Sequence, residues 1–142
     1  MSGPNITVVG ATGAVGQVVL SILEERNFPI GDLRLLASKR SAGSVVSVMG
    51  KELSVGEAKP DSFNDTNIVF FAAGGSTSQA LAPEAVKRGA VVVDKSSAWR
   101  MNPTVPLVIP EINSDDIRWH QGIISSPNCS TIVLLMALAP LH

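Results

Sequence analysis

One cysteine stands in "SSPNCSTIVLLM" (residues 125–136), where a polar, turn-forming stretch gives way to an apolar run. Two roles are open to it: a thiolate nucleophile presented at a helix start, or a small buried hydrophobe. Pro127 and Asn128 before Cys129, and Ser130 and Thr131 after it, are turn and cap residues. The sequence therefore predicts a helix that begins here with its positive end toward the sulfur, an environment that favours a thiolate. A packing cysteine would lie more naturally inside "IVLLM", so the pattern favours the nucleophile. A second polar cluster, "DKSSAWRM" (residues 94–101), offers Arg100 as an anion clamp, with Trp99 and Met101 expected to pack. The two histidines, His120 in "DDIRWHQG" and His142, are not placed as a base for Cys129. A covalent mechanism needs a group that handles protons, and the chain does not clearly supply one.

Near the N-terminus, Gly10-Ala11-Thr12-Gly13-Ala14-Val15-Gly16 has the spacing G-x-x-G-x-x-G. Gly10 permits a tight turn, Gly13 lets backbone N–H groups approach a pyrophosphate, and Gly16 lets a helix pack closely on a sheet. Taken alone, such a loop is weak evidence. Here a strand-like "ITVVG" precedes it and an amphipathic helix follows, the context dinucleotide binding requires. NAD sites usually place a carboxylate at the end of the second strand, for the ribose 2′-hydroxyl. This chain has none between Leu33 and Lys51, and offers Ser38, Lys39, Arg40 and Ser41 instead. Hydroxyls and cations suit a 2′-phosphate, which points to NADP rather than to a merely solvated basic loop.

The elements that must position these residues alternate along the chain. In "AVGQVVLSILEER" (residues 14–26) apolar residues recur at helical spacing, and "LRLLAS" (33–38) reads as a second strand. "VVSVMGKELSV" (45–55) alternates in period two around Met49-Gly50, which predicts a hairpin. "NIVFFAAGG" (67–75) has no polar face, as in a central strand covered on both sides. Ser76, Thr77 and Ser78 are candidate N-caps for the next helix. Pro83 is expected to interrupt that helix, with Ala82 forced toward an extended conformation. "AVVVDKSS" (90–97), "VPLVIPEIN" (105–113) and "GIISS" (122–126) read as three further strands. Strand, crossover helix and strand at this rhythm predict a doubly wound α/β fold, mostly parallel and of Rossmann type, with helices on both faces. Cys129 then follows a strand's carboxyl end, where such folds bind ligands.

Composition removes other classes. With 142 residues the chain is one domain by length, and 45% hydrophobic against 16% charged residues suits doubly covered strands. A net charge of −1, with no Lys/Arg run longer than two, argues against a nucleic-acid surface. A lone cysteine forms no internal disulfide and anchors no metal site by itself. The N-terminus lacks a signal peptide's basic region, and the apolar run Ile132 to Leu141 is shorter than the ~20 residues of a membrane span. A cytoplasmic, soluble protein is expected. The closing apolar run also predicts that the chain is part of something larger.

Together, "GATGAVG", "LASKRSAG", "FFAAGGS", "APEAVKRGAVVVDKSSAWRM", "VPLVIPEIN" and "SPNCSTI" resemble, in that order, the aspartate-β-semialdehyde dehydrogenase family. The resemblance runs from Ile6 to His142 and implies NADP-dependent reduction of β-aspartyl phosphate, in the synthesis of lysine, threonine and methionine. It implies that Cys129 attacks the acyl phosphate, that Asn128 holds substrate and that Arg100 binds the phosphate. It further implies that Gly10, Thr12, Gly13, Ala14, Val15 and Gly16 hold the cofactor with Ser38, Arg40, Ser41, Gly74, Gly75 and Ser97. The family usually has Asn where this chain has Lys95, and its members are about twice as long. Residues 1–128 would then be the NADP-binding domain, and 129–142 the start of a nucleophile helix. That helix would lead into an absent domain with the catalytic histidine, further substrate ligands and the interface of a homodimer or homotetramer. Related readings are an N-acetyl-γ-glutamyl-phosphate reductase, whose family tends to have Gly at position 128, and a non-catalytic NADP-binding module.

Overall fold

A computed structural model describes residues 3–141. Seven strands form one sheet in the order β3-β4-β2-β1-β5-β6-β7. They are β1 (Ile6–Val9), β2 (Leu33–Ala37), β3 (Val45–Val48), β4 (Lys51–Glu57), β5 (Ile68–Phe71), β6 (Val91–Asp94) and β7 (Ile123–Ser125). All pairings are parallel except that of β3 with β4, the expected hairpin. Its turn places Met49 at φ 52° and Gly50 at φ 69°, the left-handed pair that lets a two-residue turn follow the twist of its strands.

Side chains alternate across β1 and so divide the core. Val8 joins Leu35, Val55, Leu20 and Leu23 on the face covered by α1 (Ala14–Glu25). Val9 joins Val69, Phe71, Val92, Ala82 and Ala85 on the face covered by α2 (Gly75–Lys87). Helices on both faces of a mostly parallel sheet are the doubly wound architecture the sequence predicts.

Four local expectations are corrected. Helix α2 runs through Pro83 without interruption, and Ala82 is helical rather than extended. Proline removes one helical hydrogen bond, but Ala82 and Ala85 on either side are fully buried, so packing outweighs the loss. The N-cap of α2 is Gly74, and none of Ser76, Thr77 or Ser78 caps it. Residues 105–113 are not a strand: Leu107 makes one bridge to Ser125, and a short helix, α3 (Pro110–Asn113), follows. Pro106 and Pro110 each lack the N–H a ladder needs. Met101 does not pack, being 92% exposed.

Candidate functional site

The glycine loop, the basic loop after β2, the cluster after β6 and the segment before Cys129 each leave the carboxyl end of a parallel strand, and these ends share one edge of the sheet. The chain goes from β1 to β2 on one side and crosses back to β5 on the other, so β1 and β5 flank the topological switch. A cleft of about 650 Å³ opens there. It brings together Gly10, Thr12 and Gly13 after β1, Ser38, Arg40 and Ser41 after β2, and Gly74 after β5.

The glycines have distinct reasons to be glycine. Gly10 has φ +84°, and a Cβ there would lie 2.7 Å from the Ala72 carbonyl oxygen. At Gly16 a Cβ would stand 2.2 Å from the Gly10 carbonyl oxygen, so α1 crosses the turn at backbone contact. Gly74 has nothing within 4 Å of where a Cβ would be, so its missing side chain keeps the cleft wall open. Ala14, Val15, Gly16, Gly75 and Ser97 are not on the wall. Gly75 and Ser97 adjoin each other, the Ser97 hydroxyl lying 3.9 Å from a Cβ built on Gly75. Sequence reasoning missed Ala72, Ala73, Ser76, Thr77, Ala80 and Leu81, all of which line the cleft. The hydroxyls of Ser76 and Thr77 had been read as caps, and their place after two glycines at a strand end was the available signal. Ser78 is buried and accepts a hydrogen bond from Trp99 Nε1 at 2.9 Å, which anchors the loop after β6 to α2.

That loop is held from below by Asp94. Its buried Oδ2 accepts from Ser96 Oγ at 2.7 Å, and Ser96 Oγ accepts from the Ala98 N–H at 3.1 Å. Arg100, at the far end, donates Nε to the Ser126 carbonyl oxygen at 3.0 Å and Nη2 to that of Lys95 at 3.1 Å. Arg100 thereby ties the loop after β6 to the segment leading to the cysteine.

Helix α4 (Cys129–Leu138) begins at the cysteine, with Asn128 as its N-cap. Asn128 Oδ1 accepts from the Ser130 N–H at 2.9 Å and lies 3.8 Å from Cys129 Sγ. Cys129 is exposed rather than part of either core cluster. It is not on the cleft wall: β7 is three strands from β1, roughly 14 Å at the ~4.8 Å spacing of strands. His120 precedes β7 and Cys129 follows it, so the two stand at opposite edges of the sheet. His120 Nδ1 accepts the Gly122 N–H at 3.0 Å. His142 lies outside the described residues. Among the described residues no group of three or more His, Cys, Asp or Glu could hold a metal ion, and no helix is long and apolar enough to cross a membrane.

Comparison with known proteins agrees with this fold. The aspartate-semialdehyde dehydrogenase of Bacillus subtilis (strain 168) is 59% identical over 140 residues, 99% of this chain and 40% of that protein. The crystal structure of aspartate semialdehyde dehydrogenase II from Vibrio cholerae, complexed with ASA, superposes with a TM-score of 0.94 at 42% identity, over 99% of this chain and 46% of that one. The Candida albicans aspartate semialdehyde dehydrogenase with NADP gives a TM-score of 0.78 at 26% identity, over 99% and 47%. The chain thus spans about two-fifths of the length of the curated relatives it matches. The model of the semialdehyde dehydrogenase NAD-binding domain matches residues 5–120, and the chain belongs to that family.

Proposed function

We propose that this chain is the NADP-binding, nucleophile-bearing part of an aspartate-semialdehyde dehydrogenase that reduces β-aspartyl phosphate to aspartate semialdehyde. The observation that carries the reading is the shared edge: the glycine loop, the basic loop after β2, Arg100 and exposed Cys129 all leave carboxyl ends of one parallel sheet.

The residues present fit the cofactor. Gly13 and Gly74 put no side chain on the cleft wall, and Ser38, Arg40 and Ser41 stand where the second strand ends without a carboxylate. These three would hold a 2′-phosphate, and the backbone of residues 10–13 the pyrophosphate. NADPH, when bound, supplies the hydride that reduces the acyl carbon.

The chain's own residues act on the substrate. The Cys129 thiolate attacks the acyl carbon, the C–S bond forms, and the C–O bond to phosphorus breaks with its electron pair leaving on phosphate. Arg100 receives the phosphate and stabilises the charge that develops on it. Asn128 orients the substrate at the sulfur. After reduction, the C–S bond breaks and the sulfur departs as thiolate, ready for another cycle. Among the described residues the hydrogen-bond partner of Cys129 is Asn128, an amide that cannot serve as the proton-handling group. Residues beyond this segment supply it, so the chain alone does not turn over. By resemblance the complete enzyme is a cytoplasmic homodimer or homotetramer serving the synthesis of lysine, threonine and methionine.

The test is assembly with the C-terminal part of the Bacillus subtilis relative, supplied in trans. Phosphate-dependent NADP reduction by aspartate semialdehyde is expected from the mixture, and neither from this chain alone nor with Cys129→Ser. Turnover that survives Cys129→Ser would overturn the covalent role.

A further inference from the structure

Two cations leave one loop by different routes and meet on a single residue. Lys95 follows β6 and donates Nζ to Ser126 Oγ at 3.0 Å. Arg100 donates Nε to the carbonyl oxygen of the same Ser126 at 3.0 Å, and Nη2 to that of Lys95 at 3.1 Å. Neither is among the ion pairs of the described residues. The loop's one carboxylate, Asp94, is fully buried, accepts from Ser96 through Oδ2, and pairs with neither cation. Like charges brought together repel unless an anion lies between or beside them. Donors also remain: an ammonium has three and a guanidinium five, and only one and two of these are engaged. Ser126 is three residues before Cys129, so the pair adjoins the N-terminus of α4, which adds positive potential of its own.

We propose that Lys95 and Arg100 form a two-cation site for a dianionic phosphate group next to Cys129, with Lys95 setting the preference for a dianion over a monoanion. This rests on the reading that Arg100 faces the substrate's phosphoryl group, and adds a second ligand of different character. The guanidinium is a planar fork that reads shape, whereas the ammonium is a compact charge that answers chiefly to the ligand's charge.

The experiment titrates inorganic phosphate, sulfate and acetate into the 142-residue chain at low ionic strength, following binding by calorimetry and protection of Cys129 from iodoacetamide. NADPH affinity serves as the check that each variant is folded. The expected result is that phosphate and sulfate bind and protect while acetate does neither. Lys95→Asn should weaken both dianions about tenfold or more, the loss of one charge-assisted bond. An equal loss on Lys51→Asn, a surface lysine of the β3–β4 hairpin, would assign the effect to net charge and overturn the proposal. Unchanged phosphate affinity in Lys95→Asn, with binding still lost in Arg100→Ala, would overturn the role of Lys95 and leave that of Arg100 standing. No binding of phosphate by a chain that still binds NADPH would overturn both phosphate assignments and spare the cofactor site.

Discussion

Gly16 and Gly74 differ in what a side chain would meet. A Cβ at Gly16 would lie 2.2 Å from one backbone atom, the Gly10 carbonyl oxygen, and 2.9 Å from another, the Ala11 Cα, neither of which can rotate away. Gly16→Ala should therefore cost about 1–3 kcal/mol, read as a lowered denaturant midpoint. Gly74→Ala meets nothing within 4 Å, so stability should change by no more than about 0.5 kcal/mol. Its methyl would point into the cleft, and weaker NADPH binding by a fully stable variant is the expected outcome. Sequence spacing identified Gly16 because its constraint is local, a turn followed by a helix crossing it, whereas Gly74 was implied only by the family resemblance. The helix start at Cys129 was legible for the same local reason, its cap residues being its neighbours. Ser76 and Thr77 were misassigned because a hydroxyl after a strand can cap a helix or line a cleft, and only the glycine at the N-cap decides which.

Among the elements, long periodic segments were read with the right type, and exceptions arose where tertiary contacts override a local rule. Pro83 was expected to break α2, yet burial of Ala82 and Ala85 carries the helix through it. Residues 105–113 looked like a strand by composition, but two prolines leave a single bridge to β7. At α4 the cap itself can be tested. Asn128→Ala removes the bond to the Ser130 N–H and should cost about 1 kcal/mol, with faster hydrogen exchange confined to the first turn. At the other end of α2, Glu84 accepts hydrogen bonds from Lys87 and Arg88, which hold its carboxyl below the ordinary range. The folded state thus favours its charged form. Whatever stability this surface cluster contributes is complete at neutral pH and fades as acid drives the pH down through the lowered value. Glu84→Gln should flatten the acid limb of the stability profile slightly and leave its neutral plateau nearly unchanged.

Across the whole molecule, the fold closes a core on both faces of the sheet while α4 stays apolar and exposed. Val133 is 73% exposed and Leu134 57%, with Met136 and Leu138 beside them. A surface of that kind associates. The chain should elute as oligomers whose mass rises with concentration, and the double substitution Val133→Glu, Leu134→Glu should shift it toward monomer without lowering its melting temperature. The sheet order was not legible in the sequence, because strand order follows from crossover connections rather than from any local pattern. Once it is known, the scattered polar segments fall on one edge, with the basic loop and the glycine loop on a common cleft. The central claim is that this cleft holds NADP through the residues that end β2. Calorimetric titration of NADPH and NADH into the chain tests it most directly, with Arg40→Glu as the comparison. NADPH should bind more tightly by about 1.5–3 kcal/mol, roughly tenfold to a hundredfold, and Arg40→Glu should erase the difference. Equal affinities for the two cofactors, or a preference that survives Arg40→Glu, would contradict the account.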